Sequence, residues 1–114
     1  MDATDYLVWG IVIHLVCDWI FQNEWIAVNK VSLRHGASWL HGFIHSAGMM
    51  LIFSPLVALL IGLSHIIIDL RFIMAFWRKV FRQTTAGMYA VPVAVWGDQT
   101  AHIVIIAFAA LMIG

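Results

Sequence analysis

Eight His and Asp residues inside the apolar runs of this chain carry groups that bind metals or move protons, and they fall into four pairs at one spacing. His14 and Asp18 stand in "HLVCD", His41 and His45 in "HGFIH", His65 and Asp69 in "HIIID", and Asp98 and His102 in "DQTAH". On a helix, positions i and i+4 project from one face with Cβ atoms about 5–6 Å apart, close enough to grip one ion or line one cavity. Five imidazoles and three carboxylates suit a divalent metal, zinc first, with manganese, iron or nickel as alternatives. A single ion takes roughly four to six ligands, so one ion with supporting partners and two ions both fit the set. Haem ranks low, because three aspartates have no role beside two axial histidines.

Each pair interrupts an otherwise apolar run. An aspartate at a helix centre in lipid costs about 2.5–3.5 kcal/mol, so three uncompensated ones would cost roughly 8–10 kcal/mol. Something must offset that. A metal does so by taking deprotonated carboxylates and neutral imidazoles. A hydrogen-bonded His/Asp network, structural or proton-carrying, is the competing explanation.

The elements that hold these residues follow from composition. The chain has 114 residues, of which 63% are hydrophobic and 11% charged. That length allows one domain, 1–114, and a water-soluble domain this small needs more polar residues to cover its surface. Lipid is therefore the expected solvent, and the expected class is an all-α integral membrane protein. Net charge is zero, so no basic face invites nucleic acid. The single cysteine, Cys17, excludes an intrachain disulfide and reads as a small buried residue. "MDATDYLVWG" has two aspartates and no basic residue ahead of the apolar run, which reads as a retained span rather than a signal peptide.

Crossing a ~30 Å hydrocarbon core takes about 20 helical residues. Four spans are expected, over about 6–25, 39–53, 55–77 and 92–112, packed as a four-helix transmembrane bundle. Segments two and three are parted only by Ser54 and Pro55. One rod over 39–77 would be roughly 58 Å long, so a turn is required there, with Ser54 as N-cap and Pro55 at the first helical position. Residues 25–36 mix apolar and polar types and suit a short interfacial helix. Lys30 and Arg34 lie in the first loop, and Arg78, Lys79 and Arg82 in the third. The positive-inside rule puts both loops in the cytoplasm and both termini on the non-cytoplasmic side.

With those directions, Asp18, His41, Asp69 and Asp98 form a layer nearer the cytoplasm. His14, His45, His65 and His102 form a second layer about one turn further out. The order HxxxD, HxxxH, HxxxD, DxxxH also fits a parallel two-helix repeat. Gln22 continues the His14–Asp18 face and is placed as a hydrogen-bonding support for the ligands. Gln99, about 100° round the helix from Asp98, is placed as another support or as a packing residue. Arg71 is expected at the interface, in contact with substrate or a lipid phosphate. His35 is expected in an exposed loop, and Gly42, Gly48 and Gly62 where helices pack closely.

The stretches "HLVCDWIFQNEWIAVNK", "LHGFIHS", "LSHIIIDL" and "DQTAHI" together resemble a family of small bacterial and phage integral membrane proteins known only as a domain of unknown function. The resemblance runs through nearly the whole chain in order. It implies a multi-span membrane fold and a bacterial or phage setting, and it brings no activity; the expected location is the bacterial inner membrane. In ligand type and spacing alone, the chain is also similar to membrane-bound metal-dependent hydrolases.

Three functions compete. The first is a membrane metal-dependent hydrolase of a lipid or lipid-linked substrate, in which metal-activated water attacks and Asp18, Asp69 or Asp98 serves as general base. The second is a metal-ion or proton transporter or channel along the bundle axis. The third is a non-catalytic, metal-stabilised membrane scaffold or small interaction protein. Membrane lipid is the expected neighbour in each case, and a homo-oligomer is compatible with all three.

Overall fold

The computed structural model describes residues 1–83 and 85–113, and every element among them is helical. Helix α1 spans Ala3–Leu15 and opens into a π-type turn over Val16–Ile20. Short α2 follows (Glu24–Asn29), then α3 (Gly36–Met49), α4 (Pro55–Asp69), α5 (Phe72–Val80) and α6 (Ala90–Ile113).

Local chemistry sets these bounds. Asp2 and Asp5 form a reciprocal capping box at the start of α1, each side chain accepting from the other's backbone N–H at 3.0 and 2.9 Å. Asn23 caps α2 by accepting from the Ile26 N–H at 2.9 Å. His35 caps α3, its Nδ1 accepting from the Ala37 N–H at 3.1 Å while its ring meets Trp25 edge-on. Ser54 caps α4 with Pro55 in its first turn. Pro92 falls inside the first turn of α6, where its missing N–H costs no helical hydrogen bond.

Close packing joins α3 and α4. A Cβ on Gly42 would run into the Ile66 side chain, and one on Gly62 would meet Ser46 and the Gly42 backbone carbonyl. Only glycine lets the two backbones approach this far. At one end of the molecule Met49, Phe53, Ala58, Ile61 and Ile106 form an apolar core, with Tyr6 stacked on Phe53 at 5.2 Å. The outward faces are apolar too: Trp9, Phe43, Leu51, Leu56, Phe108 and Leu111 are all more than half exposed.

Among the described residues, two helices, Ala3–Ile20 and Ala90–Ile113, are long and apolar enough to cross a membrane. A third qualifies if α4 and α5 count as one span. The sequence reading treats residues 55–77 as one straight helix, but the chain breaks after Asp69 and α5 leaves at 62°. The Leu70 and Arg71 N–H groups bond back to the Ile67 and Ile68 carbonyls, and Arg71 takes a left-handed φ of 71°, which closes α4. Arg71, Arg78 and Lys79 all lie in or beside the stretch that turns aside, and a straight continuation would carry them along the apolar axis. Helix α3 has 14 residues, so its length is about 21 Å.

Candidate metal centre

The π-type turn of α1 and helices α3, α4 and α6 bring the sequence-singled histidines and two of the three aspartates into one buried cluster. His14, Asp18, His41, His45, His65, Asp69 and His102 are each no more than 5% exposed. The wide turn, closed by the Phe21 N–H on the Val16 carbonyl at 3.1 Å, is where Asp18 leaves the α1 backbone. Such turns often mark functional positions.

Two overlapping groups have ligand atoms mutually within 4.8 Å: Asp18, His41, His45 and His65, and then His65, Asp69 and His102. In the first, His41 Nε2 lies 3.0 Å from Asp18 Oδ1 and 2.8 Å from His65 Nε2. His45 Nε2 and His65 Nε2 each lie 3.5 Å from that same Asp18 oxygen. Tetrahedral bonds of about 2.0–2.1 Å would set ligand atoms roughly 3.3 Å apart, within the spread observed. In the second group, His102 Nε2 is 3.3 Å from Asp69 Oδ1, and His65 Nε2 is 3.0 Å from Asp69 Oδ2 without hydrogen-bond alignment.

Hydrogen bonding leaves this cluster incomplete. His41 Nε2 faces both an oxygen and a nitrogen, and one ring proton cannot serve both. Both ring nitrogens of His45, Nδ1 of His41 and Oδ2 of Asp69 are buried with no hydrogen-bond partner among the described residues. Buried polar atoms are nearly always partnered, so convergent lone pairs without protons between them are what a cation would satisfy. The donor set therefore fits a metal ion, which these groups could hold.

Supporting contacts fix the ligands. His14 Nε2 donates to Gln99 Oε1 at 2.8 Å, and Gln99 Nε2 donates to Asp18 Oδ2 at 2.7 Å. That relay holds one carboxylate oxygen and leaves Oδ1 turned to the histidines. His45, His65 and His102 stack ring on ring, with centroids 3.6 and 3.9 Å apart, and His65 is the middle ring.

The fourth ligand-bearing helix uses a different pair from the one its spacing suggests. On α6, Gln99 and His102 face the cluster. Asp98 belongs to neither ligand group and lines an adjoining cavity, with Oδ1 buried and unpartnered. Gln22 and Arg71 line the same cavity, about 220 Å³ in volume, and Gln22 Oε1 is buried without a hydrogen-bond partner among the described residues. His14 sits inside the cluster but is turned to Gln99. Cys17 is buried against the Ile44 carbonyl.

Sequence reasoning missed Lys30. Its Nζ lies 3.8 Å from both Asp18 Oδ1 and Asp69 Oδ2, spanning the two carboxylates. The signal available was its place at the end of "WIAVNK", just after the Asp18 segment.

These features define an all-helical protein with membrane-compatible helices and a buried His/Asp cluster able to hold a metal ion. The chain belongs to the family described as Protein of unknown function (DUF3307), which it matches over residues 6–114. No curated protein and no solved structure matches it.

Proposed function

We propose that the chain is a four-span membrane protein with one divalent metal ion, zinc first, in a site open to the cytoplasmic side. We propose further that it is a metal-dependent hydrolase of a membrane-borne substrate in the bacterial inner membrane. The single observation behind this reading is the buried convergence of ligand atoms from His41, His45, His65 and Asp18, with His45 Nε2 among them left without a hydrogen-bond partner. A single ion is favoured because His65 presents the same Nε2 to Asp18 and to Asp69, so the two ligand groups compete for it.

When bound, the metal would supply Lewis acidity and an activated water. The chain's own groups divide the remaining work. Gln99 and His14 hold Asp18 in place, and Lys30 supplies positive charge where a substrate oxyanion would develop. Asp98, with a free oxygen on the cavity and no place in either ligand group, is the carboxylate left to take a proton from water. The apolar plug of Met49, Phe53, Ile61 and Ile106 beyond the histidines favours a one-sided site over a through-path for ions.

Elemental analysis of protein purified in nanodiscs tests the centre. One ion per chain, lost in His45→Ala, is the expected result; no metal above background would refute it. Turnover of lipid esters or phosphoesters by metal-loaded protein, absent from Asp98→Asn, tests the hydrolase assignment separately.

A further inference from the structure

The cavity beside the cluster is lined partly by groups the metal site does not use. Lys30, Arg71 and Gln22 face it together with Asp18, Asp69 and Asp98. Its volume of about 220 Å³ is below the roughly 300–1,000 Å³ of pockets that enclose whole drug-sized ligands. It suits a small polar head rather than a complete lipid.

Charge points to the sign of the occupant. Two cations stand against three carboxylates here, leaving one negative charge in excess. A divalent ion on Asp18 and Asp69 turns that into one positive charge in excess, so the loaded cavity attracts an anion.

Arg71 adds a second, independent observation. It holds a left-handed φ of 71° at the α4–α5 elbow, a conformation that is strained for a non-glycine residue. Glycine would take that turn without strain, so the elbow alone gives no reason for an arginine. Its planar fork of donors matches the oxygens of a phosphoryl group. Gln22 Oε1 is buried without a partner and is an acceptor left for a hydroxyl.

We infer that this cavity binds a phosphate ester carried on a hydroxylated head group. Lys30 and Arg71 hold the phosphoryl oxygens, and Gln22 accepts a hydrogen bond from a head-group hydroxyl. The inference deepens the hydrolase reading by naming its substrate class, and rests on it for the ion that makes the cavity positive. Lys30 touches both carboxylates of the cluster, so a phosphoryl group held by it lies beside the metal ligands.

The test uses the full chain in phosphatidylcholine nanodiscs, with metal content measured on every sample. One arm titrates glycerol 3-phosphate by calorimetry. The other follows phosphorus NMR line broadening in nanodiscs that also contain phosphatidylglycerol. Saturable binding is expected in at least one arm, weakened about tenfold or more in Lys30→Gln and in Arg71→Gly, as loss of a charge-assisted contact predicts.

Arg71→Gly keeps the left-handed turn, so its metal content and thermal stability should match or exceed the parent's. Binding of the soluble ester identifies a free phosphate ester. Binding in the phosphatidylglycerol arm alone identifies a lipid head group, and either result supports the site. No saturable binding in either arm by metal-loaded protein, or parent-like binding by Arg71→Gly, overturns it. Arg71-dependent binding by protein that holds no metal supports the subsite and counts against the metal centre alone.

Discussion

The two ends of the helix bundle are made by the same helices and are held together in opposite ways. At one end Met49, Phe53, Ala58, Ile61 and Ile106 pack as one buried apolar cluster. At the other, α3, α4, α6 and the π-type turn converge on histidines and aspartates, several of whose buried atoms have no partner. The apolar end is complete as it stands. The polar end could hold a cation, which would satisfy buried lone pairs that otherwise stand at a net cost. One end therefore reads as structure and the other as a site.

That contrast is broken most directly at His65, the residue shared by both ligand groups. A ligand at a thousand times its Kd stabilises the folded state by about 4 kcal/mol. Added zinc should raise the parent's thermal unfolding temperature accordingly, and His65→Ala should lose both the shift and the bound ion. A variant that still responds to zinc would place the ion elsewhere.

At the opposite end, Met49→Ala empties a fully buried position and should cost roughly 2–5 kcal/mol. Denaturation should register that loss while elemental analysis finds the metal content unchanged. A drop in metal would mean the two ends are coupled.

Gln99→Leu is a finer cut, because it removes the amide between His14 and Asp18 but none of the ligands. Metal affinity, read by competition with a chelator, should fall about 10- to 100-fold. Asp98→Asn should change metal affinity least of all and still abolish turnover. If it loses the ion, Asp98 is a ligand and the separation of cluster from cavity fails.

Much of this was legible in advance. The i, i+4 pairs led to the cluster because a helix periodicity alone puts such residues on one face. Ser54 with Pro55 marked a helix start through purely local chemistry. The Arg71 elbow was not legible, because Pro55 to Trp77 is apolar enough to continue straight and the turn is made by a non-glycine in a left-handed conformation. Asp98 and Gln99 are adjacent, and spacing favoured Asp98. The rotation of α6 against α1 and α4 chose Gln99.

By itself, then, the sequence determined that the chain is helical, that its surface is apolar, and that His14, Asp18, His41, His45, His65, Asp69 and His102 lie on helix faces of a common kind. Those are consequences of composition and of period along one helix. Only the tertiary structure decided which ligand atoms meet, that Lys30 spans two carboxylates, that Gln99 rather than Asp98 supports the cluster, and that Arg71 faces a cavity. Each of these depends on how one helix is rotated and set against another, and side-chain packing between helices fixes that rather than any pattern within a single one.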